Sequence, residues 1–205
     1  MKKLSIFSSM AIVAALIYVV CTVVAILYFP KPYSPLNNWL SDFGNPTQNP
    51  AGAIYYNVGG ILTSAVLVLF FGGMYKWNTG DGKMKVFLST AQISGIFFAF
   101  AFMVSAFFPL GVNDSVHSFA SVMLFVFIGF FEIFSASAIR RNPSNPKSLV
   151  YFGFIAAMVN FAFGISFNFM DLFIGEWIMI TFFIAYVVTL AVSQNRQINA
   201  INPKN

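Results

Sequence analysis

Six long apolar runs, at about residues 7–29, 53–76, 86–109, 117–139, 149–170 and 174–193, divide the chain into seven polar pieces. A helix needs about 20 apolar residues to cross a bilayer, and each run has about that length. The pattern predicts an all-α, polytopic membrane protein: six transmembrane helices in one bundle, forming a single domain over residues 1–205. The first run follows Lys2 and Lys3 as a signal peptide would. It is longer than a signal core of roughly 7–15 residues and reads as a retained span.

Only the link between the first two runs is long. It carries Pro30, Pro32, Pro35, Pro46 and Pro50, which forbid one continuous helix. Within it Leu36, Trp39, Leu40 and Phe43 recur at near-helical spacing, which predicts a short interfacial helix with Trp at headgroup level. Asn45-Pro46 and Asn49-Pro50 mark turns. The remaining links are short, so consecutive helices are antiparallel neighbours. Gly80-Asp81-Gly82, Gly111 to Asp114 and Arg141-Asn142-Pro143 turn the chain, and the last link is nearly a hairpin around Asp171 to Glu176.

Charge orients this bundle. The first, third, fifth and seventh polar pieces hold every Lys and Arg of the 11 except Lys31. Cytoplasmic loops carry the excess of Lys and Arg, which places both termini inside. A soluble domain carries roughly 25% charged residues. Here charged residues are 8% and the mean hydropathy is +0.79. The net charge of +5 is spread over helix ends as topology anchors, so it does not form the basic face of a nucleic-acid binder. The one cysteine, Cys21, sits inside the first run and allows no intrachain disulfide. No span holds a Lys for a retinal Schiff base, and one histidine excludes a bis-histidine haem; no cofactor is expected. Asn113-Asp114-Ser115 is a formal glycosylation sequon close to the membrane.

The acids oppose the bases. Asp42, Asp114, Asp171 and Glu176 fall on the outer side, where the only histidine, His117, opens the fourth span. Asp42 and His117 suit an acid–base pair, because an Asp that orients a His is a common catalytic device. Asp114, Asp171, Glu176 and Asn57 are candidates for contacting substrate beside them. The alternative is that acids remain outside once bases are kept inside. One histidine and no usable cysteine make a poor zinc set, so no metal is expected. Asp114, three residues before His117, is a candidate cap for the fourth helix.

Glu132 lies within the fourth span, eight residues before Arg140 and so ~12 Å from that helix end. His117, Ser121, Ile128, Glu132 and Ser135 share an arc about 60° wide. An ionisable side chain at that depth faces a bundle interior or a cavity. It serves either as a polar lining for substrate, proton or headgroup, or as a hydrogen-bonding partner for a neighbouring helix. Gly153, Ala157, Asn160, Gly164, Asn168 and Asp171 share one face of the fifth span, a stripe that permits close helix approach. Gln92 with Gly95 and Ala99, and Asn57 with Ser64, look like the same device.

Two stretches carry a resemblance. Leu40-Ser-Asp-Phe-Gly-Asn-Pro46, then Pro50 and Tyr56-Asn57-Val58-Gly59-Gly60, resemble the opening signature of the domain-of-unknown-function 998 family. Phe107-Phe108-Pro109 followed by His117-Ser-Phe-Ala-Ser121 resembles its second signature. Gly175-Glu176 resembles a third, with Trp177 where an Arg is expected. The resemblance covers essentially the whole chain and implies a six-helix prokaryotic plasma-membrane protein. The pattern is more distantly similar to eukaryotic six-helix proteins of autophagy modulation and GPI-lipid remodelling, which implies lipid headgroup chemistry or lipid sensing.

The expected function is therefore binding or processing of a lipid headgroup at the outer face, with membrane lipids as partners. One alternative is a small transporter or proton-coupled carrier using Glu132. Such carriers often show internal repeats and broken helices, and neither is visible in this sequence. The other alternative is a non-catalytic membrane scaffold.

Overall fold

The computed structural model describes residues 4–78, 82–166 and 172–201. Within these the chain forms α1 (Ile6–Leu27), α2 (Ala53–Gly73), α3 (Gly82–Phe107), α4 (Asp114–Arg140), α5 (Lys147–Ser166) and α6 (Ile174–Ile201). All six are long and apolar enough to cross a membrane. At ~1.5 Å per residue α1 is about 33 Å long, slightly more than a ~30 Å hydrocarbon core. Asp81, Asn168, Asp171 and Lys204 lie outside the described residues.

The helix ends follow local chemistry. The Ser5 hydroxyl accepts the Ser8 amide (3.1 Å) and starts α1. A 3-10 turn over Met74–Trp77 tightens the end of α2. Pro109 stops α3, Pro143 follows α4, and Pro146 precedes α5. The cap of α4 is Asn113 rather than Asp114: its side chain accepts the Val116 amide (3.1 Å). Asp114 instead turns back to accept the Gly111 amide (2.7 Å). Gly111 has φ +80°, a left-handed conformation natural to glycine, and it makes that tight return possible.

Each helix packs on the next, and α6 returns to α1, closing a ring. Aromatic and aliphatic side chains fill its centre, among them Phe70, Phe71, Phe98, Phe131, Tyr186 and Leu190. The outer faces of the helices are apolar too, as at Leu16, Val20, Leu62, Ile93, Phe97 and Met158. In water that surface would be unfavourable; in lipid it is matched to its solvent. Small residues bring the helices together, as the stripe on α5 predicts. A side chain at Gly153 would collide with the Tyr186 ring and with Ala136. Ala157 and Asn160 on the same face are fully buried. Gln92 donates from α3 to the Gly72 carbonyl of α2 (2.9 Å). Ser64 bonds back within its own helix, to the Gly60 carbonyl.

Polar clamps hold both ends. At the end bearing Arg140 and Arg196 (the basic end), Asn145 receives Gln194 and Gln197 of α6 and donates to the Ile139 carbonyl. The Ser5 amide donates to Asn195 (2.7 Å), tying α1 to α6. At the other end, residues 28–52 fold inward over the bundle. The predicted interfacial helix is shorter than expected and is buried: one 3-10 segment, Leu40–Gly44, with Leu36 left exposed. Phe43 anchors it, wholly buried among Phe29, Tyr33, Tyr56 and Trp177.

Asn49 secures this link. Its amide donates to the carbonyls of Ala25 (3.1 Å) and Phe43 (3.0 Å), and its oxygen accepts the Gly52 amide (3.1 Å). An unpartnered buried polar group costs about 1–3 kcal/mol. Asn49→Ala strands three of them, so it is expected to destabilise the protein by roughly 2–5 kcal/mol. Unfolding of detergent-solubilised wild type and variant checks this; a loss below ~0.5 kcal/mol would show that the clamp is dispensable.

Candidate functional site

The end that carries residues 28–52 (the link end) encloses a cavity of about 70 Å³. That is more space than one water needs and suits several waters or one small polar group. Its polar lining comes from Ser41 of the link, Tyr18 of α1, Tyr56 and Asn57 of α2, Ser105 of α3, His117 and Ser121 of α4 and Glu176 of α6. Its deeper walls are apolar: Phe98 and Phe102 of α3, Leu124 and Ile128 of α4, Met179 of α6. The cavity is therefore amphipathic, polar toward the link and greasy toward the bundle centre. Among the described residues no Lys or Arg lines it.

His117 is held from one side. Its Nδ1 lies 3.1 Å from the Ser105 carbonyl of α3. A carbonyl only accepts, so Nδ1 carries the proton, and in the neutral ring Nε2 keeps its lone pair. Nε2 is buried without a hydrogen-bond partner. The sequence indicated His117, but not the Ser105 carbonyl that sets its tautomer. Backbone partners leave no mark in composition.

Glu176 clasps the link. Its Oε2 accepts the Ser41 amide (3.0 Å) and its Oε1 the Ser41 hydroxyl (3.5 Å). Trp177, at the position where the resemblance implies an Arg, donates from Nε1 to the Tyr33 hydroxyl (2.8 Å). That hydroxyl donates in turn to the Trp39 and Asn38 carbonyls. Tyr18 and Tyr56 join through their hydroxyls (3.2 Å). Asn57 donates to the Gly44 carbonyl (2.9 Å), so one edge of the cavity is fixed to the link backbone.

Asp42 does not line the cavity. Its Oδ2 accepts the Trp39 amide (2.9 Å), capping its own 3-10 turn. Burial pushes its carboxyl above the ordinary range, opposed chiefly by the hydrogen bonds from the Trp39 amide and the Asn38 side chain. No hydrogen bond joins Asp42 to His117: the first is held by its own turn and the second by α3. Asp114 is exposed and engaged with Gly111. Among the described residues no three His, Cys, Asp or Glu side chains gather as a metal set.

Glu132 forms a separate polar point deeper in the bundle. The predicted arc on α4 faces inward throughout: His117, Ser121, Ile128, Glu132 and Ser135 are all buried. Glu132 Oε2 accepts the Asn160 amide of α5 (2.7 Å). Below it Ser135 bonds the Tyr186 hydroxyl of α6 (2.9 Å), so three helices meet there. Glu132 is not among the cavity-lining residues; Ile128, one turn nearer the link end, is.

The family described as Protein of unknown function (DUF998) matches residues 12–194, and the chain belongs to it. No curated protein and no solved structure matches the chain.

Two outcomes follow for these carboxyls. Glu132→Gln keeps an acceptor for Asn160 and is expected to cost less than ~1 kcal/mol; Glu132→Ala leaves a hole and a stranded amide, costing roughly 2–5 kcal/mol. Equal unfolding midpoints for the two variants would contradict this. Because the folded Asp42 carboxyl is raised, ionising it opposes folding. Its contribution is full below the ordinary carboxyl range and declines as pH rises through the folded value. A profile of melting temperature against pH should lose that decline in Asp42→Asn, whose side chain still accepts the Trp39 amide.

Proposed function

We propose that this member of the family binds the polar end of a membrane lipid in the link-end cavity, with His117 making the contact through Nε2. The observation that carries the reading is the buried, unpartnered Nε2 of a cavity-lining histidine, where the side chains of Ser41, Asn57 and Glu176 and the paired hydroxyls of Tyr18 and Tyr56 are already engaged. A bare imidazole nitrogen accepts a hydrogen bond. With Glu176 beside it and no basic side chain, the cavity favours a donor: a headgroup hydroxyl or ammonium, rather than a phosphate. The apolar walls suit the start of an acyl or glycerol chain. A carbonyl-held His with a free Nε2 is also the arrangement of a general base, which leaves open a route from binding to headgroup processing.

Asp42 acts here as a positioning residue, holding the turn from which Leu40 and Ser41 close the cavity. The sorting of Lys and Arg supports placing the basic end and both termini in the cytoplasm of a prokaryote, with the cavity in the outer half of the plasma membrane. Exposed aromatics at the link end support the same placement: Tyr28 stacked on Tyr55, with Phe107 and Phe108 nearby in sequence at the end of α3.

The protein purified from membranes is expected to retain a lipid with a hydroxylated or amine headgroup, detectable by native mass spectrometry. His117→Ala should lose most of that occupancy, while Asp42→Asn and Glu132→Gln should keep it. Equal occupancy in wild type and His117→Ala would sink the proposal. Retention of a water-soluble hydroxyl or amine compound in place of lipid would keep His117 as the contact but remove the membrane as the source.

A further inference from the structure

At the basic end, α5 and α6 touch sparsely, and a groove of about 740 Å³ opens between them. This is the size of a site for a drug-sized ligand. Leu149 and Phe152 of α5 form one wall, and Val188 and Val192 of α6 the other. Small residues leave room between these walls: Ser148 on α5, Thr189 and Ser193 on α6. The Asn145 clamp holds the two helices together beside it and keeps it from collapsing.

Arg196 stands at the polar end of this groove. It is exposed, and among the described residues it has no hydrogen bond or ion pair. Its neighbour Gln197 is already committed, to Asn145 and to Asn142. No carboxylate lines the groove. The carboxylates of the described residues are Asp42, Asp114 and Glu176 at the link end and Glu132 within the bundle. Nothing described at this end therefore neutralises the guanidinium. The groove thus presents, among the described residues, a planar cation without a carboxylate partner at its polar end and hydrocarbon walls along its length. A guanidinium binds phosphate in bidentate fashion, and Ser148, in the first turn of α5, adds a hydroxyl to the groove lining.

From this geometry we infer that the α5–α6 groove is a site for an anionic phospholipid: its phosphate rests on Arg196 and its acyl chain lies along Phe152 and Val188. The site is distinct from the link-end cavity in place and in chemistry. It selects negative charge with a cation, whereas the cavity offers acceptors to a donor.

The test titrates full-length protein in neutral detergent with phosphatidylglycerol and with phosphatidylcholine, reading bound lipid by native mass spectrometry. Wild type should bind phosphatidylglycerol more tightly. Arg196→Gln should weaken that binding about five-fold, the effect of one basic residue at a charged membrane surface. Val192→Trp, which fills the groove and leaves the charge, should weaken it as well. Lys83→Gln removes the same charge from an exposed position on α3 and should leave it unchanged. Because the hydroxyls of phosphatidylglycerol also suit the link-end cavity, the same titrations are run in the His117→Ala background, where the effects of Arg196→Gln and Val192→Trp should persist, so this site and the link-end cavity stand or fall separately. Equal affinity for the two lipids, or phosphatidylglycerol binding indifferent to both Arg196→Gln and Val192→Trp, would overturn the inference. Displacement of bound phosphatidylglycerol by inorganic phosphate at equal concentration would overturn it too, because the groove walls would then contribute nothing.

Discussion

A polypeptide that ends a membrane helix and must begin another has to satisfy every backbone group it exposes on the way. In this protein one buried side chain, Asn49, meets much of that demand. It takes the Ala25 carbonyl left over by the end of α1, the Phe43 carbonyl of the 3-10 turn, and the Gly52 amide ahead of α2. Three segments are thereby held at one point. The Leu40–Gly44 turn can then sit over the bundle with Phe43 as its plug, and without that turn the cavity would have no cover. The His117 site thus depends on a residue that does not line it.

The two ends of the ring are built alike and used differently. Each is closed by an asparagine that collects partners from distant segments: Asn49 at the link end, Asn145 at the basic end. At the link end the clamp folds a long segment inward and encloses space. At the basic end the connection between α4 and α5 is too short to cover anything, so the clamp only joins helices and leaves a groove beside them open to the side. An enclosed polar cavity and an open charged groove are the two outcomes of one device with different lengths of chain.

Glu132 lies between these ends, with one oxygen bonded to Asn160 while its Oε1 and the Asn160 Oδ1 are buried without partners. It gives α4 and α5 a direct polar contact, and the Ser135–Tyr186 bond one turn below extends the contact to α6. In hydrocarbon, where unmet polar groups are expensive, such contacts fix helix register more sharply than apolar packing does. The small residues around them, Gly153 above all, let the backbones come close enough for these bonds to form.

Much of this was legible in the chain itself. The six helices follow from run length, and several of their ends from Ser, Asn, Gly and Pro at the boundaries, because crossing a membrane is a one-dimensional requirement; α6 differs, running on through polar residues to Ile201, eight positions past its apolar run. The inward face of α4 and the small-residue face of α5 follow from helical periodicity, which is equally local. Asp42, His117 and Glu176 were legible as polar residues gathered at one end. Their partners were not. Glu176 bonds Ser41, 135 positions away, and His117 bonds a backbone carbonyl of α3. Asp42 turns to its own loop instead of to His117. The choice between Asn113 and Asp114 as cap depended on the backbone at Gly111. The sequence by itself determined which side chains reach the end of the bundle. Only the tertiary structure decided which of them keep partners and which face empty space, because that depends on how residues 28–52 fold back over the helices.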